Sequence, residues 1–143
     1  DDGEPQGTAG MPILDVLKNK KLFETAVVVT RYFGGIKLGA GGLVRAYAGM
    51  AAEALAGADI RAYTMCREII VSVGYEHFDA LKKFLEHGDA DVKGTDYTDR
   101  VTVTVAVEAD KAEAFCTALT DRMAGRAAVK EGASYWFPFA VAP

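Results

Sequence analysis

The chain has 143 residues, of which half are hydrophobic and a quarter are charged, a composition typical of globular proteins. The net charge of -4 argues against a strongly basic nucleic-acid-binding protein, and no apolar run approaches the roughly 18 residues of a membrane helix. Cys66 and Cys116 lie far apart without CxxC spacing, which favours reduced thiols in a cytoplasmic protein over a disulfide framework or a zinc site.

The first half of the chain predicts two helices and one strand. MPILDVLKNKK places Pro12 near a helix N1 position, TAVVVTRYF is typical of an interior strand, and LVRAYAGMAAEALAG predicts a helix from near Leu43 to Gly57. One apolar face of this last helix should comprise Leu43, Ala46, Tyr47, Met50, Ala54 and Leu55. The predicted strand at residues 26–31 needs hydrogen-bonding partners, and no other strand is predicted in this half. We therefore expect its partner strands to be missing from the sequence or supplied by another chain.

The second half predicts the element order β-α-β-β-α-β, the split βαβ signature of a ferredoxin-like sandwich. An alternating strand around residues 69–75 precedes a helix from His77 to His87. Residues 91–97 and 100–108 predict a hairpin, in which alternate valines should face the helices. A helix that Asp110 and Glu113 begin with a capping box, and a strand from about Ala127 to Phe137, complete the order.

The other face of this predicted sheet should carry few stacking aromatics. It shows small or aliphatic side chains, and residues 67–143 hold nine basic against thirteen acidic residues, so direct RNA stacking is not favoured here. Core packing is expected for the aromatic run Tyr135–Phe137, while Cys66 precedes the first strand. Neither His77 nor His87 has the surroundings of a catalytic histidine.

Four segments carry most of the specific information: DDGEP, GTAGMPIL, RYFGG and KLGAGGLVRAY. In this order and spacing, from Asp1 to Tyr47, they resemble the signature of the IMPACT/YigZ family. The second half resembles the smaller C-terminal domain of the bacterial YigZ-like members, so the resemblance covers essentially the whole chain.

The resemblance implies an α+β protein of two domains. Residues 1–64 would be the C-terminal part of a domain like the second domain of a small-subunit ribosomal protein, without its N-terminal strands. Residues 67–143 would be the ferredoxin-like domain. Because DDGEP lies in the middle of the family's first domain, we expect an N-terminally truncated chain, whose missing segment is either lost or present as another chain.

A glycine-rich bend precedes the second helix and is the first candidate binding site. Glycines allow close backbone approach, and a helix N-terminus attracts anions, so the bend could cradle a phosphate group. The predicted ligand residues are Gly34, Gly35, Gly39, Gly41 and Gly42, with Arg31, Lys37 and Arg45 as charge partners. Glycines that merely permit tight turns and helix packing explain the pattern equally well.

The acidic turn is the second candidate site. Asp1, Asp2 and Glu4 could hold Mg²⁺ beside a bound phosphate. Ion pairs with Arg31 or Arg45 are the alternative, and we favour it because one clustered turn supplies few metal ligands. Thr8 is predicted to cap the first helix. No cofactor other than this Mg²⁺ is expected.

The function that the resemblance implies is a non-enzymatic binding or regulatory module linked to translation. Eukaryotic relatives interfere with activation of an initiation-factor kinase, whereas the bacterial relatives have no settled activity. The expected partners are the ribosome, RNA or a translation-related protein, with no membrane involved. A Mg-dependent enzyme acting on a nucleotide or phosphorylated small molecule is the alternative, disfavoured because the motifs lack a group with a neutral pKa. A scaffold that binds no small ligand is the third interpretation.

Overall fold

The computed structural model describes residues 1–141, which fall into two compact units divided between Ile60 and Arg61. The first unit contains two helices, α1 (Gly10–Asn19) and α2 (Gly39–Ala56). The second unit contains β1 (Arg61–Val73), α3 (Phe78–Glu86), β2 (Ala90–Tyr97), β3 (Val101–Glu108), α4 (Ala112–Arg122) and β4 (Ala128–Ala140). One turn of 3₁₀ helix precedes each helix of the second unit, at Tyr75–His77 and Ala109–Lys111.

The first unit is held by a small apolar cluster between its two helices. Ala9, Leu43 and Tyr47 are buried together, and Ile13 and Val29 pack against them. Pro12 is buried in the first turn of α1, where its missing N–H leaves no helical bond unmade. This arrangement brings the start of α1 against the first half of α2.

The strand predicted at residues 26–31 is not formed. Residues 25–34 have no regular secondary structure, and Val28 is 89% exposed. A strand is defined by its ladder of hydrogen bonds, and no neighbouring strand pairs with this segment within residues 1–141. The apolar run therefore remains irregular backbone, and the prediction of a strand was wrong for the described chain.

Helix α2 begins at Gly39 rather than near Leu43, so part of the predicted glycine bend belongs to the helix. Its buried residues recur every four positions, which places them on one stripe: Leu43, Tyr47, Ala51 and Leu55. Ala46, Met50 and Ala54, predicted to share that face, are exposed. Gly57 follows the helix as its C-cap, as predicted.

The second unit is a four-stranded antiparallel sheet with the strand order β2-β3-β1-β4. The predicted alternation is confirmed, because Ile69, Val71 and Val73 of β1 are fully buried beside the valines of β3. Side chains of both helices complete this core: Leu81 and Leu85 from α3, and Phe115 and Leu119 from α4, followed by Met123. The hydrophobic face of the sheet is thus covered by α3 and α4.

Two local predictions in this unit were wrong. Asp110 lies in the 3₁₀ turn, and α4 has no side-chain cap, because the turn already feeds the chain into the helix. Cys66 does not precede the first strand but lies within β1, fully buried, because β1 begins at Arg61. Both cysteines are free thiols, and burial raises the pKa of Cys116.

The face of the sheet opposite the helices also differs from the expectation. Tyr135, Phe137 and Phe139 follow one another on this face in edge-to-face contact, and they pack with Cys66 and Ala106. The prediction that aromatics are sparse here missed them because it rested on side chains of β1 and β3, whereas all three come from β4, and Phe139 lies beyond the predicted end of that strand. Trp136, on the alternate face, is 65% exposed and is not a core residue.

A polar group borders these aromatics. Lys93 and Glu68 both bond the Tyr135 hydroxyl, which donates to Glu68 Oε2 at 3.0 Å, and the Lys93 ammonium lies 4.3 Å from the Tyr135 ring centroid. The bond to Tyr135 is the main cause that raises the pKa of Lys93. This contact links β2, β1 and β4 across the open face.

Candidate functional site

The acidic turn caps helix α1. Asp1 Oδ1 accepts hydrogen bonds from the backbone N–H groups of Ala9 and Gly10 at 3.2 and 2.9 Å, and Oδ2 accepts one from Gly7 at 2.9 Å. The carboxylate thus satisfies N–H groups that a helix start leaves unpaired, and its charge suits the positive end of the helix dipole. Thr8, predicted as the cap, instead donates its hydroxyl hydrogen to Pro5 O at 2.6 Å.

Glu4 joins three parts of the first unit. Its side chain is 6% exposed, and Oε1 accepts hydrogen bonds from the Arg31 guanidinium and from the Tyr47 hydroxyl, the latter at 3.1 Å. The Arg31 guanidinium carbon also lies 4.3 Å from the centroid of the Phe33 ring. The acidic turn, the irregular segment and α2 are therefore connected by one buried carboxylate.

The environment of Tyr47 makes its ionisation unfavourable. Burial, followed by the hydrogen bond to Glu4, raises the pKa of Tyr47 above its ordinary value near 10. Because the folded chain favours the neutral phenol, this contribution to stability is present below the ordinary pKa and is lost as the pH rises through the raised pKa.

We therefore expect the first unit to lose stability as the pH rises above about 10, and Tyr47→Phe to flatten that part of the pH profile. Amide hydrogen exchange of α2, measured across this range in both proteins, is the readout. Identical slopes for the two proteins would contradict the assignment.

These carboxylates fit a Mg²⁺ site poorly. Both Asp1 oxygens accept backbone N–H bonds, and Glu4 Oε1 is occupied by Arg31 and Tyr47, so binding a hard cation would require breaking these contacts. Of the three acidic residues, Asp2 is exposed and is the one whose carboxylate does not take part in these hydrogen bonds. Within the described part of the chain, no three His, Cys, Asp or Glu side chains come together in a metal-binding group.

Two grooves lie along the irregular segment. One, of about 410 Å³, runs between the acidic turn and residues 28–33 and is lined by Asp1, Asp2, Glu4 and Arg31 among others. The second, of about 670 Å³, is mostly apolar and lies between residues 29–38 and α2. Arg31 and Tyr47 line both grooves, so the buried contact to Glu4 is situated where the two meet.

The start of α2 contrasts with the start of α1. Gly34, Gly35 and Gly39 have φ values of 140°, 75° and 73°, which side-chain-bearing residues rarely adopt. No side chain caps α2, and its first turn contains no acidic residue. Within residues 1–141, no carboxylate accepts from its first N–H groups, in contrast to those of α1.

The predicted site residues are only partly brought together. The acidic residues share the smaller groove with Arg31, and Gly34 and Gly35 line the larger groove. The remaining predicted residues line neither of these two grooves: Lys37, Gly39, Gly41, Gly42 and Arg45. Arg45 instead extends along the first turn of α2, its Nη1 3.4 Å from the position of a Cβ on Gly41.

Tyr47 is the residue that sequence reasoning assigned only to the core. Its ring is buried on the α2 stripe, whereas its hydroxyl reaches Glu4. A buried tyrosine normally finds a hydrogen-bond partner, so its place among otherwise small and aliphatic core positions was the available signal.

None of the helices within residues 1–141 combines the length and hydropathy needed to cross a membrane. Two family models match the chain, the Impact N-terminal domain over residues 1–55 and a domain of unknown function, DUF1949, over residues 71–126. The boundary between the two matches agrees with the division into two units.

Curated relatives match across both units. IMPACT family member YvyE of Bacillus subtilis is 40% identical over 92% of this chain and 61% of its own length. IMPACT family member YigZ of Escherichia coli is 38% identical over 85% of this chain and 59% of its own length. The chain thus spans about three fifths of the length of these relatives.

A solved structure described as that of a hypothetical protein is 36% identical and covers 90% of this chain and 63% of its own, with a TM-score of 0.45. The signature from DDGEP to VRAY lies inside the Impact N-terminal match, and the DUF1949 match runs from the end of β1 to just beyond α4 in the second unit. By its sequence, this chain is an IMPACT/YigZ-like protein.

Proposed function

We propose that this chain is a non-enzymatic binding module linked to translation, and that its first unit binds a phosphate group of a nucleotide or of RNA at the start of α2. The observation that carries the proposal is the uncapped N-terminus of α2, preceded by glycines with positive φ. Backbone N–H groups at such a terminus point at an anion, and the helix dipole favours its charge.

The neighbouring cations are available for this role. Lys37 and Arg45 are exposed, and neither has an ion-pair partner within residues 1–141. Arg31, the third predicted cation, is committed to Glu4. The proposed phosphate site is therefore reduced to the backbone of the first turn with Lys37 and Arg45.

A binding role is also supported by the state of the nucleophiles and bases. His87 donates its Nδ1 hydrogen to Lys83 O at 2.9 Å, and His77 lies 3.7 Å from Glu76. A raised pKa keeps Cys116 in its unreactive thiol form. The alternative of a Mg-dependent enzyme is less well supported, because two of the three carboxylates proposed to bind Mg²⁺ have other partners. Asp1 accepts from backbone N–H groups, and Glu4 accepts from Arg31 and Tyr47.

The finer architecture is part of the same proposal. The strand order β2-β3-β1-β4, with both helices packed on one face, supports a ferredoxin-like sandwich for residues 67–143. The Impact N-terminal match supports assigning residues 1–64 to the C-terminal part of a ribosomal-protein-domain-2-like fold. A cytoplasmic location is proposed with them, supported by the two free thiols.

Calorimetric titration of the full chain at low salt tests the phosphate site. We expect a nucleotide and a short single-stranded RNA to bind, and Lys37→Ala with Arg45→Ala to weaken each by about tenfold, because each loses charge-assisted contacts to phosphate. Lys20→Ala, an exposed lysine outside the site, is the matched control. No heat with inorganic phosphate, nucleotide or RNA at about 5 mM would contradict the proposal.

Co-sedimentation tests the link to translation separately. Ribosomal subunits should carry the chain into the pellet at low salt and release it as the salt concentration rises, because phosphate contacts are salt-dependent. Recovery only in the free fraction at low salt would contradict that link while leaving nucleotide binding open to its own test.

A further inference from the structure

The second unit has a groove of its own, at the ends of its two helices. This groove, of about 570 Å³, is lined by Lys83, Phe84, Glu86, His87, Gly88 and Arg122. Helix α3 ends at Glu86 and α4 ends at Arg122, so residues from the last turns of both helices converge there.

Two of the lining side chains are cations without an ion-pair partner within residues 1–141, Lys83 and Arg122. The adjacent Lys82 is different, because it pairs with Asp79 at 3.4 Å and lies 4.9 Å from the Phe78 ring centroid. Glu86 supplies the groove's one carboxylate. Counted over its lining side chains, the groove therefore carries one more cation than carboxylate, within a half of the chain that is acidic as a whole.

The cations are not needed to bond the last carbonyl groups of the helices. The His87 ring already donates to Lys83 O at 2.9 Å, and the Gly88 N–H donates to Leu85 O at 3.4 Å. At the end of α4, the Met123 N–H donates to Leu119 O at 2.9 Å. The ammonium and guanidinium groups are thus left to bind a ligand.

An aromatic ring forms the apolar part of the groove. Phe84 is half-buried, and its ring centroid lies 5.6 Å from that of Phe115 in the core. Gly88 beside it presents no side chain, and a Cβ at that position would come within 3.9 Å of the Phe115 ring. Gly88 therefore adds no side chain to the wall of the groove beside Phe84.

The geometry points to a binding site for a small aromatic phosphate monoester, its phosphate against Lys83 and Arg122 and its ring on Phe84. A phosphate monoester carries a charge near -2, which matches two cations, and a guanidinium binds phosphate oxygens in pairs. The volume falls within the range of small-molecule sites. This site lies in the second unit and does not depend on the function proposed for the first.

An NMR titration of the full chain with phenyl phosphate at low salt tests the site. We expect the amide signals of Phe84, His87 and Gly88 to shift with a millimolar dissociation constant. Lys83→Gln or Arg122→Gln should weaken binding about fivefold, and Glu86→Gln should strengthen it about threefold by removing a like charge. These side chains lie at the surface of the groove, and a far-UV spectrum verifies that each variant is folded.

Matched controls distinguish binding in this groove from the effect of a lost charge elsewhere on the surface. Lys82→Gln and Lys20→Ala, which each remove an exposed lysine outside the groove, should leave the shifts that phenyl phosphate causes at Phe84, His87 and Gly88 unchanged. An equal effect of Lys82→Gln and Lys83→Gln, or no shifts up to about 20 mM ligand, would overturn the proposal. If Lys83 and Arg122 only stabilise the helix C-termini, their replacement by glutamine would lower the melting temperature without weakening phenyl phosphate binding, and this result would also overturn the proposal. Equal affinity for inorganic phosphate would remove the role of Phe84.

Discussion

Replacing Glu4 by alanine should destabilise the first unit while leaving the stability of the second unchanged. The substitution removes the acceptor of both Arg31 and Tyr47, and the buried hydroxyl and the partly buried guanidinium are left without it. We expect the unfolding free energy of this unit to fall by about 2–3 kcal/mol. This is less than the loss from breaking a fully buried ion pair, because the Arg31 side chain is 26% exposed.

Amide hydrogen exchange in α1 and α2 measures this loss, because the two units need not unfold together. Trp136, the single tryptophan, lies in β4, so its fluorescence reports the second unit and should be unchanged. Asp2→Asn is the control, since Asp2 is exposed and asparagine tolerates its φ of 48°. Equal exchange rates in the Glu4 and Asp2 variants would show that the buried contact does not hold this unit.

Ile69→Ala should destabilise the second unit by about 3–4 kcal/mol, because a fully buried side chain would leave a cavity under the helices. Ile70 is the matched control, since it is the same residue type in the next position of β1 and faces the opposite side of the sheet. Because Ile70 is only half-buried, Ile70→Ala should lower the unfolding free energy by about 1 kcal/mol. Similar losses in both variants, measured by urea unfolding of Trp136 fluorescence, would contradict the assignment of the faces.

The second unit was predictable because its elements carry their own signals. The alternation of valines in β3 predicts one buried face whatever the partner strand is, and the hairpin at residues 91–108 requires only local pairing. The predictions for this unit were wrong where one local pattern fits two structures, or where pairing with a distant strand decides the length of an element. Asp110 matches a capping pattern, but a 3₁₀ turn occupies that position, and β4 continues past Phe137 because β1 is long enough to pair with it.

The first unit was less predictable because its contacts are distant in sequence. The run at residues 26–31 has strand composition, but composition cannot supply the neighbouring strand that a ladder needs. The start of α2 was misplaced because glycines weaken helix propensity, although no other residue could adopt the positive φ of Gly39 as easily.

The sequence predicted which residue types form the candidate site, but it did not predict most of the hydrogen bonds that connect them. The sequence indicated that Glu4 could pair with Arg31, because opposite charges in polar motifs commonly do so. It could not indicate that Asp1 caps a helix beginning at Gly10, because a cap normally lies next to the helix it serves. Tyr47 was missed for the related reason that its apolar ring and its polar hydroxyl serve different neighbours.

The irregular pairing of the sheet has a consequence for aggregation. Both outer strands of the sheet, β2 and β4, are interrupted. The pairing of β2 with β3 shifts register between Val92 and Gly94, and the pairing of β4 with β1 shifts register opposite Arg67 and Ile69. Pro138 also removes one backbone hydrogen-bond donor from β4. Interrupted borders of this kind are poor templates for an incoming strand of another molecule. Concentrated solutions of the second unit should therefore resist fibril growth by strand addition, even with Trp136 exposed.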